Sequence, residues 1–315
     1  VPSVSDWSPE MTGEGAFVRQ RSAFRDWVTD APGTRFPAAT GRYHLFVSFA
    51  CPWAHRTIIV RHLKGLGDVI GMSVVDPIRD ERGWALRNVP GATGDQSGSG
   101  FRFLAEAYAA SDRDFRGRVT VPVLWDIEGR TIVNNESADI IVMLNEAWDS
   151  WARHPELDLC PSSQRAEIDE LAGRIYEHVN NGVYRAGFAT TQAAYERAVV
   201  PLFEMLDELE RRLADRRYLL GSNQTLVDWR LFTTLVRFDA VYHGHFKCNL
   251  RRLVDYPNLS GYLRDLYQTP GVAGTVDMSH IKRHYYQTHR SINPSGIVPV
   301  GPILDFEAPH DRGDL

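Results

Sequence analysis

The stretch Tyr43-His44-Leu45-Phe46-Val47-Ser48-Phe49-Ala50-Cys51-Pro52-Trp53-Ala54-His55-Arg56-Thr57-Ile58-Ile59-Val60-Arg61-His62-Leu63 decides the fold. Residues 43–49 alternate in the manner of a strand, and residues 57–63 carry apolar side chains at helical spacing. Cys51 therefore stands at a strand-to-helix junction, against the positive end of the helix dipole. Pro52 suits the first helical turn, where a missing N–H costs nothing. Such a setting favours the thiolate and makes the cysteine a nucleophile. Ala54 occupies the place of the second cysteine in a Cys-x-x-Cys pair, so the site reads as a monothiol that takes its resolving thiol from a small molecule. The plainer reading is a buried structural cysteine, since such thiols are commonly core residues. The strand, the proline and the helix around Cys51 weigh against it.

Working outward, a second short strand is expected near Val69–Val75, followed by a long insertion over 76–118 that holds two glycine-rich segments. Val121-Pro122-Val123-Leu124-Trp125-Asp126 reads as a strand entered through a proline. Glu128-Gly129-Arg130 makes a hairpin turn, Thr131-Ile132-Val133 returns, and a helix runs from about Asn135 through Leu144. The order β-α-β, connector, β-β-α is that of a thioredoxin-like domain. From about 150 onward the pattern is helical, over 164–183, 192–213, 226–242 and 257–268. The expected fold class is thus α/β plus all-α. An N-terminal extension covers 1–40, a thioredoxin-like domain 41–150 and an all-helical domain 160–280. A proline-containing tail over 281–315 is expected to pack on the surface of the body.

The 315 residues are 43% hydrophobic and carry a net charge of −5, the balance of a globular protein with no general electrostatic case for nucleic acid. No apolar run is long enough to span a membrane, and no charged n-region followed by an apolar h-region opens the chain. Three widely spaced cysteines do not form a disulfide framework, which points to a reducing, cytoplasmic setting.

Four pieces in this order resemble the Xi-class glutathione transferases, the glutathionyl-hydroquinone reductases. They are Cys51-Pro52-Trp53-Ala54-His55-Arg56, Asn180-Asn181-Gly182-Val183-Tyr184, His284-Tyr285-Tyr286 and Ile292-Asn293-Pro294-Ser295-Gly296-Ile297-Val298-Pro299. The resemblance covers nearly the whole chain and implies glutathione as co-substrate, no metal, and a homodimer. It implies that Val121 and Pro122 form the cis-proline strand entry whose backbone pairs with the cysteinyl part of glutathione. Glu136 and Ser137 would hold its γ-glutamyl end, the glutamate taking the ammonium while Ser137 and the helix N-terminus take the carboxylate. A plain helix cap explains the same pair, and both can hold at once. Trp84 would border the glutathione and Arg87 would pair with its glycyl carboxylate. Tyr184, Tyr242 and Tyr285 match positions lining the aromatic pocket, with Tyr286 an alternative to Tyr285.

The implied reaction is deglutathionylation. Cys51 attacks the glutathione sulfur of a glutathionyl-hydroquinone, and a second glutathione clears the mixed disulfide. Tyr184 and Tyr285 would assist the quinol's tautomerisation, with Tyr242 shaping the pocket. Two rivals stand beside this reading: an Omega-like thiol transferase or dehydroascorbate reductase, which needs Cys51 but not the tyrosines, and a non-catalytic binding protein of transferase fold. Thr225-Leu226-Val227-Asp228 reads as a helix-capping box with a folding role. His243, His245 and Cys248 lack a fourth metal ligand, and Arg211-Arg212 with Arg216-Arg217 read as a solvated face.

Overall fold

The alternating run of residues 43–49 forms strand β1 (Tyr43–Val47), all five of whose residues are buried. Burial on both faces marks a central strand with cover on either side. In this computed structural model, residues 10–31 and 33–315 are described, so the start of the expected N-terminal extension (1–9) and Pro32 lie outside the described residues. Helix α1 (Pro52–Leu63) carries the chain over to β2 (Gly71–Val74), which pairs with β1 in parallel from His44↔Gly71 to Val47↔Val74. A side chain at position 71 would place its Cβ 2.5 Å from the His44 ring, which makes this a glycine position. β3 (Val123–Asp126) pairs antiparallel with β1, and β4 (Thr131–Asn134) pairs antiparallel with β3. The sheet order is β2-β1-β3-β4, the thioredoxin-like arrangement expected. Within the long insertion a short helix, α2 (Ala105–Ser111), lies against β4, and α3 (Ser137–Glu146) packs against α1.

The chain divides into two compact units. One comprises Gln20–Asp158 with Thr275–His284. The other comprises residues 10–19, Leu159–Gly274 and Tyr285–Leu315. Both terminal segments are therefore shared between the units. Residues 24–26 bond directly to the β4–α3 connection, through Asp26 N–H to the Val133 carbonyl (3.0 Å) and Asn135 N–H to the Phe24 carbonyl (3.1 Å).

The second unit is built from α4 (Arg165–Ile175), α5 (Gly182–Gly187), α6 (Gln192–Arg212), α7 (Leu226–Arg237) and α8 (Pro257–Tyr267). The capping box is present: Asp228 accepts from the Thr225 N–H at 2.8 Å and from its hydroxyl at 2.9 Å. Asp228 is fully buried and also takes the Tyr262 hydroxyl and the Leu219 N–H, so it ties three segments together. Burial pushes its carboxyl pKa up, and these donors oppose the shift.

Three features depart from the expectation. The helix expected over 164–183 is interrupted by a π-helical turn, Tyr176–Asn180, and the one expected over 226–242 ends in another, Phe238–Tyr242. Their backbone bonds run five residues back, from Asn181 N–H to the Tyr176 carbonyl and from His243 N–H to the Phe238 carbonyl. The tail expected over 281–315 begins inside a helix that the sequence reading did not assign, α9 (Met278–Thr288), which contains His284-Tyr285-Tyr286. Its apolar stripe is thin, resting on Met278, Ile281 and Tyr285, and therefore weak as a periodic signal. Finally, Arg217 is no solvated charge. It makes a bidentate pair with buried Asp265 at 2.8 and 2.9 Å, while Arg312 from the tail bonds the carbonyls of Leu213, Arg216 and Arg217.

Candidate active site

In the first unit, Cys51 is the N-cap of α1, with extended backbone and Pro52 at the first helical position. Its side chain is half-buried and its Sγ lies 3.5 Å from the Val121 carbonyl oxygen. The Val121–Pro122 bond is cis. Glu136 is the N-cap of α3: one carboxylate oxygen accepts from the Ala138 N–H at 3.1 Å and the other from the Ser22 hydroxyl at 2.9 Å. Ser137, at the first helical position, lies 3.5 Å from Arg56 Nη1. Arg56 is nearly fully buried, and its guanidinium also sits over the Trp53 ring at 4.8 Å. A buried cation thus joins the helix that begins at Cys51 to the helix start at Ser137.

Trp84 is buried and stacks on His284, with ring centroids 5.0 Å apart and planes 20° from parallel. The His284 Nδ1 lies 2.8 Å from the Pro77 carbonyl; since a carbonyl only accepts, that nitrogen carries the proton and fixes the ring. Arg87 is held by two carboxylates, Asp76 at 3.2 Å and Asp80 at 3.3 Å. His280 donates from Nδ1 to the Gly91 carbonyl and takes the Ser48 hydroxyl at Nε2, and burial pushes its pKa down to about 4. It is a neutral tether for the glycine-rich segment.

In the second unit, three hydroxyls converge. Tyr285 Oη lies 2.6 Å from Tyr184 Oη and 3.0 Å from Tyr242 Oη. All three side chains are buried. Burial pushes the Tyr242 and Tyr285 phenols well above their ordinary range, their neighbour Tyr184 adds to this, and Arg237 opposes it. The rings sit in an aromatic nest, Tyr242 stacked on Phe246 at 5.5 Å and edge-on to Tyr285 at 5.7 Å. Tyr286 is not part of the cluster, because its hydroxyl donates to the Ala240 carbonyl at 3.2 Å. Both π-helical turns bear on this arrangement, one ending on Tyr242 and the other leading into the helix of Tyr184.

The sequence reading did not name Arg56, Ser22 or His284 as site residues, although Arg56 and His284 lie inside the quoted motifs. It also did not name Arg19, Phe246 or His289 around the phenols. His245 Nε2 lies 3.3 Å from His289 Nδ1, and Cys248 points at the Phe246 carbonyl. Among the described residues no group of three His, Cys, Asp or Glu is placed to hold a metal ion.

Comparison with known proteins fits this geometry. Residues 50–147 match the glutathione S-transferase N-terminal domain family and residues 192–265 the C-terminal domain family. Glutathionyl-hydroquinone reductase YqjG of Escherichia coli K12 is 51% identical over 97% of this chain and 95% of its own length. Its glutathione-bound structure superposes with a TM-score of 0.88, covering 92% of this chain and 96% of that one. The Xi-class transferase of Natrialba magadii is 50% identical, with a TM-score of 0.91 over 96% of both chains. The chain belongs to the Xi class of glutathione transferases. Glutathionyl-hydroquinone reductase PcpF of Sphingobium chlorophenolicum is 50% identical over 94% of this chain and 93% of its own. Within this Xi-class chain the N-domain match contains every candidate residue of the first unit. The C-domain match contains Tyr242 but neither Tyr184 nor Tyr285.

Proposed function

We propose that Cys51 is the nucleophile of a glutathionyl-hydroquinone reductase and that the Tyr184–Tyr242–Tyr285 cluster serves its quinol half. The enzyme is a glutathione-dependent reductase of glutathionyl-hydroquinones, with glutathione as co-substrate. The observation that carries the residue assignment is Cys51 as N-cap of α1, beside the Val121 carbonyl and without a second cysteine. A conjugating transferase activates the thiol of glutathione; a cysteine in this place attacks a sulfur instead.

The roles follow in order. The α3 N-terminus with Glu136 and Ser137 takes the γ-glutamyl end, the Val121 backbone aligns the cysteinyl portion, and Trp84 borders it. Arg87 serves the glycyl carboxylate, which shares its guanidinium with Asp76 and Asp80. Tyr184 and Tyr285 bond the quinol oxygens and assist formation of the keto tautomer, in which the carbon bearing sulfur has gained a proton. Tyr242 holds Tyr285 in place. The Cys51 thiolate then attacks the glutathione sulfur: an S–S bond forms, the C–S bond breaks, and its electron pair enters the ring as an enolate that protonates to hydroquinone. A glutathione thiolate attacks the mixed disulfide and releases glutathione disulfide and the Cys51 thiolate. Each turnover consumes one glutathionyl-hydroquinone and one glutathione and yields one hydroquinone and one glutathione disulfide.

The protein works in a reducing, cytoplasmic setting as a homodimer. Among the described residues no helix is long and apolar enough to cross a membrane. Support for the dimer comes from apolar surface on the C-terminal segment, where Val300 and Ile303 are each 97% exposed. The stoichiometry tests the reading. Equal yields of hydroquinone and glutathione disulfide are expected, and a product carrying additional glutathione would overturn it.

A further inference from the structure

The N-terminal segment sends Arg19 onto the phenol cluster, and nothing in the reaction just described uses it. The Arg19 guanidinium carbon lies 4.7 Å from the centroid of the Tyr184 ring, and its Nε donates to Asn181 Oδ1 at 3.0 Å. Asn181 precedes the helix that carries Tyr184, so one side chain grips both the ring and the start of its helix. Two residues earlier Phe17 is buried against Phe188 at 5.3 Å, and Phe188 stacks on Tyr184 at 6.1 Å. The segment is pinned again where Thr190 N–H meets the Gly15 carbonyl; at Gly15 a Cβ would lie 2.5 Å from the Thr190 hydroxyl.

We infer that Arg19 is a positioning residue for Tyr184, one that orients its phenol and stabilises negative charge on it while a proton passes to the quinol ring. The inference rests on the reading of Tyr184 given above. Tautomerisation breaks the Tyr184 O–H bond as a C–H bond forms at the sulfur-bearing carbon, and the quinol hydroxyl returns a proton through Tyr285. Between those events Tyr184 carries a phenolate, whose charge spreads into the ring that faces Arg19. A cation over an aromatic face is attractive even to a neutral ring, and more so to an anionic one. The other charged or titratable groups around the cluster are Tyr242, Tyr285, Arg237, His245 and His289. Burial keeps His245 neutral with a pKa down at about 4, and Arg237 bears on Tyr242 and Tyr285. Arg19 is the cation laid on the Tyr184 ring itself.

The test compares Arg19→Leu and Arg19→Lys in the full chain, using a glutathionyl-hydroquinone and, separately, hydroxyethyl disulfide with glutathione, which calls on Cys51 alone. Arg19→Leu is expected to lower kcat for the quinol roughly 10- to 30-fold, on the scale of a buried cation–π contact to a developing anion, with KM little changed. The alkaline fall of its quinol rate, where Tyr184 loses the proton it donates, should move to higher pH. Disulfide turnover should stay at the wild-type level, and Arg19→Lys should recover most of the quinol rate, since an ammonium also suits the ring face. In a Tyr184→Phe background Arg19→Leu should add nothing. Equal loss in both reactions, an unmoved pH profile, or a full Arg19→Leu effect in Tyr184→Phe would each overturn the inference while leaving the role of Tyr184 standing. A Tyr184→Phe enzyme with wild-type quinol turnover would remove that role, and the inference with it.

Discussion

The two compact units hold their chemistry in different ways. In the first, the central groups sit at the ends of regular elements: Cys51 between β1 and α1, Val121-Pro122 at the entry to β3, Glu136-Ser137 between β4 and α3, with Trp84 and Arg87 on the long insertion. Backbone and dipole do much of the work there, and a short run of sequence carries each junction. In the second, the three phenols come from separate helices, with 101 residues between Tyr184 and Tyr285 and 43 between Tyr242 and Tyr285. No local rule brings them together; helix packing and two π-helical turns do. The candidate groups of the first unit thus rest on local structure, and those of the second on tertiary structure.

Four predictions press on that contrast, the largest first. Cys51→Ala should abolish quinol turnover, by three orders of magnitude or more on the scale of lost nucleophiles. Glutathione binding, read by calorimetry, should survive, because the groups at β3 and α3 remain. Wild-type-like turnover in this variant would break the scheme. Tyr285→Phe removes the hydroxyl shared by both other phenols and should lower quinol turnover about 100-fold, the scale of general acid–base help. Its reduction of hydroxyethyl disulfide should fall far less. Equal loss in both would mean that the cluster is structural.

Ser137→Ala should act on the other unit, raising KM for glutathione about tenfold with a smaller change in kcat, the worth of roughly one hydrogen bond to a charged group. A kcat effect with unchanged KM would move Ser137 from binding to chemistry. The last prediction concerns stability and pH. Burial lowers His44 and His280 in the first unit, and His245 in the second, each to about 4. Their unfolded value is near 6.5, so between about pH 6.5 and 4 the unfolded chain binds more protons than the folded one. Stability is full above pH 6.5 and declines as pH falls through that window, by up to about 1.4 kcal/mol per unit of pH for each histidine. His44→Gln and His280→Gln should flatten the denaturant-monitored pH curve, and an unaltered slope would contradict the assignment.

The same contrast accounts for what the sequence disclosed. The strand before Cys51, the Cys51-Pro52 junction and the capping box at Thr225 are short-range signals, and the structure keeps each of them. The π-helical turns were hidden, because an i→i+5 bond replaces the regular spacing without changing composition. Helix α9 was hidden too, since its apolar stripe is thin and Asn293-Pro294 follows it closely. That Tyr285 and not Tyr286 joins the phenols depends on where the Tyr286 hydroxyl goes, to the Ala240 carbonyl. Arg19 lies 162 residues from its partner Asn181, a separation at which no local signal pairs the two.

The most direct test of the account is a single turnover without added glutathione. The protein is mixed with one equivalent of a glutathionyl-hydroquinone, quenched, and weighed by mass spectrometry. A glutathione adduct mapped to Cys51, matched by an equal amount of hydroquinone, is the predicted result, and added glutathione should clear it as glutathione disulfide. An unmodified Cys51 with the glutathionyl-hydroquinone intact would contradict it.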